Sequence, residues 1–256
     1  MNMNPSKNIA LSIHSLHKSY GKKEVLKGID LDVYEGELFG FIGKNGVGKS
    51  TTIECSIGIK DFDSGRILIL GHDIQKESLE AKRCFGYVTS EPTAYEEMTG
   101  LGYVEFIASV YQIEEERFLA NLRYLAKRLD LSDADLMRPI MEYSHGMKQK
   151  VCLIASLIHN PKLWILDEPT VGLDAFTANE LCKMMREFVS HGKTVFVASH
   201  NIDLIARLCD RVAVINKGLI QKVFDLKENP RERYDLNRYF LENAKEKEEE
   251  NGQDAL

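Results

Sequence analysis

Between Ile9 and Val33 apolar and polar residues alternate: Ile29, Leu31 and Val33 are separated by Asp30 and Asp32, the period of a strand with one buried face. This stretch predicts an antiparallel β lobe. The apolar run Leu38–Ile42 leads into a glycine-rich turn, and residues 49–59 fit a helix, which makes a strand, loop and helix in succession. Further strand signals lie at 66–70 and Phe85–Val88. From about Thr99 to Met141 the period becomes helical, with Val104, Ile107, Ala108 and Tyr111 on one face, and Phe118, Leu122, Leu125 and Leu129 on another. An inserted helical subdomain is expected there, over about 92–150. The pattern then resumes as helix 147–159, strand 163–166, helix 176–189 and strand 194–198. Strands alternating with helices predict a mostly parallel, covered sheet. Beyond Asp225 the chain turns polar, so a domain over 9–225 and a polar tail over 226–256 are expected, the tail solvated and frayed from Ala244 to Leu256.

Composition narrows the class. Apolar and charged fractions of 44% and 28% are those of a soluble globular protein, and no run approaches the ~18 apolar residues that span a bilayer. The first residues, MNMNPSKNIALSIH, lack a basic region leading into an apolar stretch, so no secretory signal is expected and the chain should stay in the cytoplasm. Cys55, Cys84, Cys152, Cys182 and Cys209 are scattered, odd in number and without a CxxC, which argues for reduced, mostly buried thiols. The net charge of -6 and the lack of a basic stripe speak against nucleic acid as a partner. An anionic ligand therefore needs a local site.

Residues 43–51 supply one. They read GKNGVGKST, the G-x-x-x-x-G-K-[ST] phosphate loop in its strand-before, helix-after setting. Gly43, Gly46 and Gly48 let the backbone curl so that successive N–H groups and the helix N-terminus point at phosphate oxygens, with Asn45 inside the curl. Lys49 brings a mobile charge to the β and γ phosphates, the Ser50 hydroxyl is placed to coordinate Mg²⁺, and Thr51 is a further phosphate contact. A second element, LWILDE, is an apolar strand ending in two carboxylates that strand geometry sends to opposite sides. Asp167 is assigned to the metal and Glu168 to the attacking water as general base.

The order of these elements resembles the nucleotide-binding subunits of ABC transporters over nearly all of residues 9–223. The feature that separates this family from other phosphate-loop ATPases is YSHGMKQK at 143–150, similar to the family signature LSGGQ and close to forms seen in single-domain exporter ATPases. The resemblance implies an α/β phosphate-loop fold and a head-to-tail dimer in which each ATP lies between the phosphate loop of one subunit and Ser144 and Gly146 of the other. It also implies that Tyr20, in KSYG, stacks on adenine, that Gly172, Leu173 and Asp174 contact the second subunit, and that His200 senses the γ-phosphate. Three positions depart from the pattern. Ser90, followed by Glu91, stands where the family usually has a metal-contacting glutamine. In the signature, His145 and Met147 replace a glycine and the glutamine.

The function implied is an ATP-hydrolysing subunit that closes on Mg-ATP and drives a separate transmembrane permease. It would sit on the inner face of the cell membrane, with export of drugs, peptides or lipids favoured over import. The rivals are a soluble mechanical ATPase of DNA repair, chromosome organisation or translation, and a sensor that binds ATP without turnover. The short helical insert and single phosphate loop disfavour the first, and Glu168 with His200 disfavours the second.

Overall fold

The computed structural model describes residues 8–236, 238 and 239. The first half of the chain runs β1 (Ile9–Tyr20), β2 (Lys23–Tyr34), β3 (Leu38–Ile42), α1 (Lys49–Ser56), β4 (Ser64–Ile69), β5 (His72–Asp73), α2 (Ser78–Cys84) and β6 (Phe85–Val88). The helical insert follows as α3 (Gly100–Val110), α4 (Glu115–Arg128) and α5 (Asp133–Leu136). The chain then continues through α6 (His145–Leu157), β7 (Leu163–Asp167), α7 (Ala175–Ser190), β8 (Thr194–Ser199), α8 (Ile202–Leu208), β9 (Arg211–Asn216) and β10 (Leu219–Asp225).

Two sheets result. One is antiparallel in the order β2-β1-β4-β5; the other has the order β10-β9-β3-β8-β7-β6, parallel except for β10. The expected fold class, an α/β phosphate-loop core with a mostly parallel sheet, an antiparallel N-terminal lobe and a helical insert, is what is seen. The period-2 side-chain alternation of a strand explains the layering. On β7, Leu163 and Ile165 join the core between the two sheets, while Trp164 and Leu166 join the core under the helices. A strand covered on both faces must be apolar throughout, and all five residues of β7 are buried. No helix of the described residues is long and apolar enough to cross a membrane.

The insert is tied at its neck. Gly100 N–H donates to the Arg138 carbonyl, Ile140 N–H to that of Met98 and Met141 N–H to that of Glu96, at 3.3, 2.8 and 3.0 Å. These bonds fix where the chain leaves the insert and so where Ser144 begins α6.

Several boundaries differ from expectation. The helix over 49–59 stops at Ser56, because Gly58 takes a left-handed φ of 69° and reverses the chain. The helix over 147–159 starts earlier, at His145, because the Ser144 hydroxyl accepts from Met147 N–H and caps it. Packing does not end at Asp225: Leu226 and Leu236 lie in the helical-side core, and the Tyr239 ring is 6.0 Å from that of Phe224. A few apolar residues in a polar stretch suffice to dock it. The solvated tail expected over 244–256 lies outside the described residues.

Candidate functional site

The phosphate loop leaves β3 at a place where only glycine fits. A Cβ on Gly43 would stand 2.5 Å from the Ile215 carbonyl oxygen, and Gly46 and Gly48 take φ of 78° and 115°. Gly48 is the N-cap of α1 without any side-chain cap, so the first amides of the helix are left for an anion. Lys49 is folded back and buried, its ammonium donating to the Gly43 carbonyl at 2.7 Å and the Lys44 carbonyl at 3.3 Å.

Opposite stands the end of β7. Glu168 N–H still pairs with the Ala198 carbonyl, but the residue takes a left-handed φ of 49°, which ends the strand and turns its carboxylate into the cleft. Outside glycine this conformation carries strain, and it is met chiefly where surrounding contacts over-determine it. Here those contacts are three. Oε1 lies 3.6 Å from Lys49 Nζ and 2.8 Å from His200 Nδ1, and Oε2 accepts from Ser199 Oγ at 2.8 Å. Asn45, Gly46, Gly48, Lys49, Ser50, Thr51, Ser90, Glu91, Glu168 and His200 line one cavity of about 510 Å³. Residues from four separate stretches of sequence thus converge.

Asp167 is set apart from its neighbour. It is 2% exposed, and its Oδ1 has no hydrogen-bond partner. Burial raises its carboxyl pKa above the ordinary value and the Glu168 charge adds to this, while the Ser50 hydroxyl and Lys49 pull it down. A buried, unpaired carboxylate oxygen beside a serine hydroxyl is a fit for a hard divalent cation such as Mg²⁺, which takes oxygen ligands. The geometry therefore suits a triphosphate on the loop and a cation between Ser50 and Asp167.

The sequence pattern of the family described as ABC transporter matches residues 26–171, which carry the phosphate loop, the signature segment and both carboxylates. The chain belongs to the ABC transporter family. It is an ATP-binding, ATP-hydrolysing subunit of that family. LnrL of Bacillus subtilis, a linearmycin resistance ATP-binding protein, is 34% identical over 208 residues, 81% of this chain and 67% of its own. SrtF of Streptococcus pyogenes, a lantibiotic transport ATP-binding protein, is 33% identical over 221 residues, 86% of this chain and 93% of its own. Among solved structures, an ATP-binding subunit of an ABC transporter superposes with a TM-score of 0.82 at 30% identity, covering 89% of this chain and 94% of that one.

Five of the expected ABC site residues do not line the cavity of this single chain: Gly43 and Asp167, described above, and Ser144, Gly146 and Tyr20. Ser144 and Gly146 are at the start of α6, where Gly146 backs onto the chain's own Gly172: a Cβ there would be 3.0 Å from the Gly172 carbonyl oxygen. His145, the unusual signature residue, packs against Gly172, whose Cβ would meet its ring at 2.1 Å. Tyr20 closes β1, 45% exposed, with the ammoniums of Lys18 and Lys60 at 5.2 and 5.6 Å from its ring centre. Ser199 was not anticipated, nor were Val25 and Val171, which complete the cavity wall. A hydroxyl directly before His200, at the end of an otherwise apolar strand, was the available sign for Ser199.

Proposed function

We propose that this chain is the motor of a membrane exporter: it binds Mg-ATP on residues 43–51, pairs with a second nucleotide-binding subunit, and moves a separate transmembrane permease. The observation that carries this is the meeting of Lys49, Glu168 and His200 in one cavity beside the orphaned oxygen of Asp167. Tyr20 carries the adenine, the loop amides and Lys49 hold the phosphates, and Ser50 with Asp167 holds Mg²⁺, with Ser90 or Glu91 in the place of the usual glutamine. When bound, the cation neutralises charge that develops on the transferred phosphoryl group.

Within the chain, Lys49 and Glu168 now hold each other. A γ-phosphate carries more negative charge than a carboxylate, so it takes Lys49 and frees Glu168 to accept a proton from water, with His200 keeping the carboxylate in place. Ser144 and Gly146 of one subunit complete the site of the other, presenting a helix N-terminus to the γ-phosphate. Closure and reopening of that pair drive the permease, on the inner face of the membrane. The roles in the names of LnrL and SrtF, linearmycin resistance and lantibiotic transport, support export of drugs, peptides or lipids.

Multiple-turnover phosphate release tests the assignment. Lys49→Ala is expected to weaken ATP binding, and Glu168→Gln to bind ATP normally while turnover falls by about 10²–10⁴-fold, the range for loss of a general base. Unchanged turnover in Glu168→Gln would remove Glu168 from the reaction.

A further inference from the structure

Tyr20 is the last residue of β1, directly before the turn at Gly21, and its ring belongs to neither core. Membership of an apolar core therefore does not fix the plane on which a base would stack. What meets the ring are two ammoniums. Lys18 lies two residues back on the same strand and has no carboxylate partner among the described residues, so it is held only by its own flexible stem. Lys60 is held at both ends. Its backbone N–H and that of Ile59 both donate to the Glu54 carbonyl, at 3.1 and 2.9 Å, and its Nζ lies 2.7 Å from Glu54 Oε2. The Glu54 carboxylate holds the Lys60 pKa above the ordinary lysine value, with Tyr20 adding to the effect.

Glu54 sits on α1, five residues beyond Lys49 and on the same helix whose N-terminus meets the phosphates. We infer that Lys60, anchored by Glu54, is a positioning residue for base recognition: a strut that sets the Tyr20 ring at a fixed distance and angle from the phosphate loop. This rests on Tyr20 being the adenine platform proposed above. The strut has a chemical logic. Adenine stacking gains from a ring that is already oriented, because a freely rotating ring loses rotamer entropy on binding. An ammonium within about 6 Å of a tyrosine face supplies that orientation electrostatically. An incoming base can displace Lys18 from the ring at little cost, whereas Lys60 stays where Glu54 holds it.

The strut acts on the base and not on the phosphates, and this separates it from a merely structural role. Equilibrium binding of ATP and of inorganic tripolyphosphate, which has no base, is measured for the full chain and its variants. Lys60→Ala is expected to weaken ATP by about fivefold to tenfold, the size of a cation–π contact and an ordered ring, and tripolyphosphate by less than about twofold. Glu54→Gln is expected to match it, the double variant to lose no more than either single one, and Lys60→Arg to restore ATP affinity. Equal losses for both ligands would show that Lys60 supports the phosphate loop or the fold and would overturn the strut. So would additive losses in the double variant. Tyr20→Ala reports on the platform itself. If it binds ATP as tightly as the wild type, the adenine assignment fails and the strut with it; if it weakens ATP while Lys60→Ala does not, the platform stands and the strut alone is lost.

Discussion

At the residue scale the site is governed by what cannot be larger and what cannot be left unpaired. Gly43 illustrates the first. Its missing Cβ would overlap the Ile215 carbonyl at 2.5 Å and Val47 Cγ2 at 2.8 Å, and its own carbonyl receives Lys49. Gly43→Ala is therefore expected to push the loop off β9 at a cost of about 1–3 kcal/mol, as for other overpacked positions. Calorimetry would record a Tm lower by several degrees, together with weaker ATP binding; an unchanged Tm would show that the loop yields freely. Asp167 illustrates the second, since its buried Oδ1 has no protein partner. Mg²⁺ with ATP should accordingly raise Tm more than ATP with a chelator does, and a smaller effect in Asp167→Asn would place the cation there. Much of this was legible in the chain, because a phosphate loop states its chemistry in residue types alone. The left-handed turn at Glu168 was not, since it depends on contacts with Lys49, Ser199 and His200 that only the folded sheet brings together.

At the element scale, α6 has two ends with different duties. Its N-cap Ser144 satisfies Met147 N–H, and replacing such a cap with alanine costs about 1 kcal/mol. Ser144→Asp keeps a capping oxygen but puts a negative charge where the proposal places a phosphate. Its Tm should match the wild type while its ATPase activity falls as far as that of Ser144→Ala; retained activity in the aspartate variant would remove Ser144 from the nucleotide. Just past its C-terminal end, His159 is stacked on Tyr111 at 3.8 Å and its Nε2 meets the Phe85 carbonyl, with Nδ1 unpartnered. Burial lowers its pKa to about 4, the Phe85 contact opposing this. The unfolded chain gains this proton as pH falls through about 6.5 and the folded chain only near 4, so the unfolded state binds more protons in between. Stability present at neutral pH is therefore lost as the pH drops across that window, by about 2 kcal/mol at pH 5. Urea unfolding at pH 7.5 and 5 should show a smaller drop for His159→Gln by about that amount; identical drops would mean that the ring titrates freely in the fold. Many of the strands and the long helices, though not β5, β9 or β10, were readable from the hydrophobic pattern, as the buried Phe118, Leu122 and Leu125 of α4 confirm. Their ends were less so, because Gly58 and Ser144 act through backbone conformation and capping, to which hydrophobic period is blind.

At the scale of the whole molecule, the proposed pairing makes the single chain half of a working unit. Its cavity is lined by the loop, Glu168 and His200, while Ser144 and Gly146 lie outside it, Gly146 backing onto Gly172. Two chains related head to tail would bring the two sets together. Glu168→Gln with Mg-ATP is accordingly expected to run at twice the 29.1 kDa of one chain in light-scattering chromatography, and to return to one chain's mass when Lys49→Ala is added. A monomer under both conditions would place the second half of the site in a different protein. The three-layer packing also sets how any such closure can be watched. Trp164 is the sole tryptophan of the sequence, fully buried on β7, with Nε1 donating to Ser156 Oγ at 3.0 Å and its ring 5.7 Å from Phe188. The indole thus joins α6, β7 and α7, three residues before Asp167. The chain carries its own optical gauge: a red shift of its emission during turnover would time the parting of those helices from the catalytic strand, without a label and in the same cuvette as phosphate release.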